Sequence, residues 1–361
     1  MSTRIPVVET GGPFAYPEWE GVHCLRLVAG KGLPPRIVPK HLSGLPPSMH
    51  GVYGTMLFEG IGADRSVEDG EYYILEGSAH AERLVRSAEE LRLIASGDLT
   101  PADLLDWIVQ LASHNLGELG DGEPLYIRPY MLPASTRGGV NFTLQHWVLL
   151  ILTWMRRKYL SHSGRGATMW IPLEGDRSRR PGREVGAPHL KGAFNYGPYA
   201  SRKSMGALIY EAQETLLLSH AGHLAETTGS NLWFVREDGA LCTPDEECDV
   251  LPGITGRIVW EAAEALGRRV ISGKFCMGEL LKAKEVFLAG TWAGVTPVDQ
   301  VRVGQYSPTF VNAPFVGNAP GPVTSQLIEF YDALKVHDLA RVRQLVPRFP
   351  ISEERLYTRI P

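Results

Sequence analysis

The chain has 361 residues, enough for two ordinary domains or one large one with a sizeable core. Hydrophobic residues make up 44% and charged residues 21%, as in a soluble globular protein, and a formal net charge of −4 without a long basic block argues against a nucleic-acid partner. The opening MSTRIPVVETGGPF lacks a signal peptide's apolar core, and the most apolar run, Trp147–Met155, is far too short for a bilayer span, which needs about 20 residues. Cys24, Cys242, Cys248 and Cys276 show neither a CxxC pair nor a zinc spacing, so a reducing cytoplasm with no structural disulfide, metal or membrane contact is expected.

Residues 52–76 read as short strands around the Gly/Asp-rich turn DRSVEDG, and 79–93 as a helix with Leu84, Ala88 and Leu91 near one face. Thr100-Pro101-Ala102-Asp103 is a helix start: a capping hydroxyl, a first-turn proline and an acid at the positive end. LYIRPYML (125–132) and HWVLLILTW (146–154) read as strands, and the basic stretch 154–165 as a connection between domains. Arg156-Arg157-Lys158 and Arg177–Arg183 read as solvated loops. GATMWIPLE (166–174) opens a second unit as a strand, and SMGALIYEAQETLLLSHAG (204–222) has helical spacing. NLWFVREDGALCTP (231–244) predicts a hairpin turning at Asp238-Gly239, ITGRIVWEAAEALG (254–267) a helix with a terminal glycine, and EVFLAGTWAGVTPV (285–298) starts as a strand. Strands and helices mix without a βαβ rhythm, so the fold class is α+β.

Four features carry candidate chemistry. Lys191, in HLKGAFNY, sits among apolar and aromatic neighbours. An imine-forming lysine needs burial or nearby positive charge to shed its proton, although a structural lysine fits the same string. Glu226, in ETTGSN, suits the carboxylate that keeps a pyridine nitrogen protonated, or a plain turn acid. Leu251-Pro252-Gly253-Ile254-Thr255 runs into a helix and offers amides, a hydroxyl and the helix dipole to a phosphate, or is an ordinary helix start. Ala289-Gly290-Thr291 is a second small-residue turn at a strand end.

In this order and spacing the four together resemble the fold-type IV pyridoxal-phosphate enzymes, and within them the D-amino acid and branched-chain aminotransferases, the branched-chain enzymes most of all. The resemblance runs from about His50 to about Leu327. KGAFNY is similar to the family's K-x-x-x-N-Y, and ETTGSN to its E-x-x-x-x-N. YGTMLFEGI (53–61), HAERL (80–84), LYIRPY (125–130), GGVN (138–141), LPGIT, GTWAGVTPV and GPVT (321–324) match further family segments. The resemblance implies that Lys191 bonds the cofactor aldehyde and shuttles the proton, Glu226 pairs with the ring nitrogen and Tyr196 with the ring hydroxyl. Arg83, Ile254, Thr255 and Thr291 would hold the phosphate, a guanidinium binding it as a fork. Tyr126, with the backbone near Thr291 and Trp292, would take the substrate α-carboxylate, and Arg128 the second carboxylate of glutamate. Phe58, Tyr53 and Tyr159 would line the side-chain pocket, unless they are simply packed aromatics. A loop around Arg137–Val140 would reach the neighbouring subunit's site, which implies a homodimer.

Several positions depart from that pattern. Trp292 and Phe194 are larger than the family's usual residues, Gly62 and Gly256 stand where arginine is common, and Arg137 adds a cation that favours an anionic or polar substrate, or is a solvated loop residue. The expectation is an aminotransferase of ping-pong mechanism, using an L-amino acid of branched-chain-like or specialised side chain and a 2-keto acid such as 2-oxoglutarate. A smaller N-terminal domain (1–153) and a larger C-terminal domain (166–361) would hold the cofactor between them. The alternatives are a lyase similar to the aminodeoxychorismate lyases or an (R)-amine transaminase on the same scaffold, and more remotely a non-catalytic protein that keeps the fold.

Overall fold

The computed structural model describes residues 25–30, 33–39, 54–116, 123–133, 147–155, 166–172, 179–182, 187–304 and 320–361. The first elements are β1 (Leu25–Gly30), β2 (Leu33–Pro39), β3 (Leu57–Phe58), β4 (Ile61–Arg65), β5 (Tyr72–Leu75), α1 (Gly77–Glu90), α2 (Pro101–Leu116), β6 (Leu125–Pro133) and β7 (Trp147–Met155). Then come β8 (Ala167–Pro172), α3 (Ala193–Tyr210), β9 (Glu214–Leu218), β10 (Leu224–Thr227), β11 (Asn231–Val235), β12 (Leu241–Pro244), α4 (Ile254–Ala265), β13 (Val270–Gly273) and α5 (Met277–Leu280). The chain closes with β14 (Glu285–Gly290), β15 (Gly294–Gly304), α6 (Pro322–Lys335), α7 (Leu339–Leu345), α8 (Glu353–Leu356) and β16 (Tyr357–Ile360).

Two sheets organise these elements. The first has the order β16-β5-β4-β6-β7-β1-β2, with β3 also on β6, and its pairings are antiparallel. Strand residues such as Ile61, Ala63, Ile127 and Leu149 face α1 and α2, which bury Leu84 and Ala88, and Leu104, Ile108 and Leu111. Thr100 starts α2 as expected, its hydroxyl accepting the Asp103 amide at 3.1 Å. β16 brings the far end of the chain onto β5, with Ile360 in this core.

The second sheet, β10-β9-β8-β15-β14-β11-β12-β13, is mixed and covered on both faces. Its strands alternate: Leu232 and Phe234 of β11 join one core with Val286 and Leu288, while Trp233 and Val235 join another with Phe287, α4 and α6. That two-residue period is the pleat itself. The 231–244 hairpin turns at Gly239 with φ 82°, as its Asp-Gly pair predicts.

The stretch 204–222 is not one helix. The helix starts earlier, at Ala193, and ends at Glu211, which caps it in the left-handed conformation at φ 52°. Glu214–Leu218 then forms β9, with Leu216 and Leu217 both buried, so its apolar run is a strand covered on two faces rather than a helical stripe.

Candidate active site

A cavity of about 350 Å³ lies between the two sheets, and Lys191 lines it. The loop before it is fixed by Asn195, whose Nδ2 donates to the Ala187 and Leu190 carbonyls at 2.8 and 2.9 Å. On the other side the segment 56–60 acts as a spine. Ala193 N–H bonds the Met56 carbonyl at 2.7 Å, Phe58 N–H the Lys191 carbonyl at 3.0 Å, and Glu59 N–H the Pro129 carbonyl at 3.0 Å. Lys191 Nζ donates to Tyr196 Oη at 3.0 Å and stands about 5 Å above the rings of Phe58 and Tyr196. Among the described residues it meets no carboxylate. The cavity's second lysine, Lys203, instead closes a salt bridge with buried Glu214 at 2.5 Å.

Burial alone would raise the Tyr196 phenol. The charge and hydrogen bond of Lys191, with Arg180 and Arg83 nearby, pull it below its ordinary value instead. Phe194 also finds a place: a Cβ on Gly192 would come 2.1 Å from its ring, and the ring packs onto the core of the first sheet. The bulky residue therefore fills space behind the lysine loop and leaves Gly192 no room for a side chain.

Glu226, at the end of β10, is 6% exposed and pairs with Arg180, which is 3% exposed. Its Oε1 also accepts the Leu251 amide at 3.0 Å and its Oε2 the Asn231 amide nitrogen at 2.7 Å. An ionised carboxylate has about four acceptor positions, so three donors leave one for a ring N–H. Arg180 comes from the basic run expected to be solvated, and that reading is corrected here. The Arg180 amide bonds the Leu218 carbonyl at 2.8 Å, which draws its side chain inward, and burial lowers its pKa.

At the opposite end, Gly253 caps α4, with Ile254 and Thr255 buried in its first turn. The leading amides of a helix lack intrahelical acceptors and face an incoming anion along with the dipole. A Cβ on Gly253 would lie 1.7 Å from Asn231 Oδ1, so the turn can pack there only as glycine. Arg83 reaches the same turn from α1, donating from Nη1 to the Pro252 carbonyl at 2.8 Å. Thr291, between β14 and β15, completes this wall.

On a further wall, Arg128 Nη2 donates to Tyr126 Oη at 2.5 Å, and its guanidinium lies 4.9 Å above the Phe58 ring. Burial raises the pKa of the Tyr126 phenol. A Cβ on Gly60 would meet Tyr126 Oη at 2.1 Å, so that glycine makes room for the phenol. Trp292 tilts against Tyr126 with ring centroids 4.2 Å apart.

The structure thus gathers Lys191, Tyr196, Glu226, Arg83, Ile254, Thr255, Thr291, Phe58, Tyr126, Arg128 and Trp292 around one cavity. Tyr53, Arg137, Tyr159 and most of the 154–165 connection lie outside the described residues. Sequence reasoning missed Arg180, and Glu59 and His80 behind Arg83. The last two stand inside the quoted segments FEGI and HAERL, where their motif neighbours were the available signal.

An amine and a phenol in the middle, an acid at one end and cation-plus-amide donors at the other define a pocket that handles amino groups with a phosphorylated aromatic cofactor. The volume falls in the usual range for small-molecule sites, about 300–1,000 Å³, and the donor set complements pyridoxal phosphate end to end. The family model for amino-transferase class IV matches residues 52–301, so the chain belongs to that family. A relative from Aquifex aeolicus named "Probable branched-chain-amino-acid aminotransferase" is 30% identical over 77% of this chain and 83% of its own. One of the same name from Staphylococcus aureus is 27% identical over 87% of each. A solved branched-chain amino acid aminotransferase from the source abbreviated T.th., with pyridoxamine 5'-phosphate, superposes with TM-score 0.74 at 28% identity, covering 93% of this chain and 98% of that one. The fold is therefore fold-type IV, and the protein is a pyridoxal-phosphate-dependent aminotransferase acting on an amino acid and a keto acid.

Proposed function

We propose that the donor is an L-amino acid of branched-chain-like or related side chain and the acceptor a dicarboxylic keto acid such as 2-oxoglutarate. The observation that carries this is the Arg128–Tyr126 pair on the wall of the Lys191 cavity. It sets a guanidinium and a phenol among aromatic rings, a handle for a carboxylate beside an apolar surface. The names of the relatives support the branched-chain half of the reading.

Pyridoxal phosphate, when bound, supplies an aldehyde that takes up the amino group and a ring that withdraws electrons. Lys191 Nζ binds that aldehyde, then takes the proton from the substrate α-carbon and returns it on the cofactor side. Tyr196 holds the ring hydroxyl and Glu226 the ring nitrogen. Arg83, Ile254, Thr255 and Thr291 bind the phosphate. Tyr126 orients the substrate carboxylate, and Arg128 the second carboxylate of glutamate. Phe58, Trp292, Tyr53 and Tyr159 bound the side chain. The two-domain division at 154–165, a homodimer in which Arg137 reaches the neighbouring site, and a cytoplasmic location belong to the same proposal. Among the described residues no helix is long and apolar enough to cross a membrane.

The test is a panel of amino-acid donors against 2-oxoglutarate and pyruvate. Leucine, isoleucine or valine with 2-oxoglutarate should lead; a best donor without an apolar side chain overturns the reading. Lys191→Ala should lose both the visible band of the bound cofactor and the borohydride-fixed adduct. A band that borohydride still locks onto the chain would assign the role to another lysine, Lys203 first.

A further inference from the structure

We propose that Glu59 is a positioning residue for the phosphate anchor: it grips Arg83 from behind and presents the remaining guanidinium donors to the phosphate of the cofactor. The proposal rests on the aminotransferase reading and concerns how this chain builds one end of that site.

The geometry is a closed fork. Arg83 Nε lies 2.6 Å from Glu59 Oε1 and Arg83 Nη2 lies 2.8 Å from Glu59 Oε2. Arg83 Nη1 donates to the Pro252 carbonyl at 2.8 Å, inside the turn that starts α4. A guanidinium has five N–H donors. Three are used in these contacts, which leaves two at the distal nitrogens for an anion. Glu59 is itself fixed by His80, whose Nδ1 stands 2.8 Å from Oε2. Glu59 and His80 are each 1% exposed and Arg83 6% exposed. Nothing in such a place rotates cheaply: an arginine with four flexible side-chain torsions is held by two carboxylate contacts and one carbonyl.

The charges agree with this role. Burial would raise the Glu59 carboxyl, but the Arg83 charge and the hydrogen bonds from His80 and Arg83 hold it well below the usual range. Burial lowers the His80 imidazole, leaving it a neutral donor to Glu59. The trio is then neutral overall, which is how a buried guanidinium is tolerated before an anion arrives. Glu59 sits on the side of Arg83 already closed by protein, so its own charge is matched by the fork and the phosphate meets the opposite edge. The backbone serves the same end. Glu59 belongs to the 56–60 spine that also fixes Lys191 through Phe58 and β6 through Pro129, so the phosphate anchor and the amine share one rigid segment.

The test compares pyridoxal 5'-phosphate with pyridoxal, which lacks the phosphate, by absorbance titration of apoprotein. The unaltered chain should prefer the phosphate form. Glu59→Gln should shrink that preference by roughly tenfold or more, the scale of one charge-assisted hydrogen bond, with pyridoxal binding retained. Glu59→Asp keeps the charge but shortens the reach, breaks the fork, and should shrink the preference likewise; it decides the matter should Glu59→Gln fail to fold. An unmoved preference, or equal weakening of both ligands, makes Glu59 a general structural residue and overturns the proposal. An unaltered chain that binds neither ligand would sink the parent reading too, so the two failures are distinguishable.

Discussion

Lys191 Nζ donates to Tyr196 Oη across 3.0 Å, and the two residues stand five apart on either side of the start of α3. Gly192 caps that helix in an extended conformation, so the lysine leaves the loop while the tyrosine leaves the first turn, and both converge on the cavity. The Lys191 charge is the main pull that lowers the phenol against burial. An ultraviolet titration of apoprotein should show one tyrosine ionising ahead of the others, and that early phase should vanish in Tyr196→Phe. The linkage has a definite sign. A phenol whose folded pKa lies below its unfolded value of 10.0 adds stability that is complete above 10.0 and is lost as pH falls through the folded pKa. Relative to Tyr196→Phe, the native chain should gain stability as pH rises through that window. A titration identical in both proteins rejects the assignment.

The Arg180–Glu226 pair supports a second prediction. Both side chains are buried, and removing one partner strands the other charge. Arg180→Met should cost about 3–5 kcal/mol in urea unfolding, the usual penalty for breaking a buried pair from one side. Glu226 also holds the Leu251 amide, so the loss should be accompanied by weaker cofactor binding. A destabilisation near that of an exposed arginine would mean that the pair does not form.

Much of this site was legible in the sequence because its parts are local. HLKGAFNY, LPGIT and the Asp238-Gly239 turn each carry their geometry within a few residues, so Lys191, the start of α4 and the hairpin were readable in place. Arg180 was not, because a run of arginines looks solvated until β9 draws it inward and a carboxylate 46 positions away meets it. The same limit explains the error over 204–222. A buried strand and a helix share apolar content, and only the left-handed turn at Glu211 separates them. Glu59 and His80 were in plain view, yet their role exists only as a contact between a strand segment and α1.

Gly253 gives a steric prediction. An alanine Cβ there would lie 1.7 Å from Asn231 Oδ1. Asn231 cannot simply swing away, because its Nδ2 bonds Glu226 Oε2 at 2.7 Å and the Leu251 carbonyl at 2.9 Å. Gly253→Ala should therefore cost about 1–3 kcal/mol of stability, as overpacking does, and weaken the cofactor through the displaced acid. Thermal melting with and without pyridoxal phosphate checks both; a variant that melts and binds like the native chain shows that the turn has slack.

The final strand makes the fold's two ends answerable. Ile360 is 1% exposed in the core of the first sheet, while Arg359 beside it is exposed and pairs with Glu71 at 3.0 Å. Ile360→Ala should cost about 2–5 kcal/mol, a buried truncation. Arg359→Ala should cost about 1 kcal/mol or less, a surface pair. Equal effects at both positions in denaturant unfolding would show that β16 does not alternate as its pairing with β5 requires.

Trp292 supplies the prediction on selectivity. It stands in the turn between β14 and β15, and its ring lies 4.2 Å from that of Tyr126 at a tilt of 51°. Tyr126 is hemmed in by Gly60 on one side and Arg128 at its hydroxyl, so the indole completes its cage. Trp292→Ala would do two separable things. Loosening Tyr126 weakens the grip on every substrate carboxylate and lowers kcat/KM for all donors alike. Opening volume beside the substrate favours bulky side chains over small ones, because each added methylene in an apolar pocket is worth about tenfold or more. The ratio of kcat/KM for leucine over alanine isolates the second effect from the first. It should rise by about tenfold in Trp292→Ala and by less in Trp292→Phe. A ratio that stays fixed while both rates fall would place Trp292 behind Tyr126 only, with no share in the side-chain pocket.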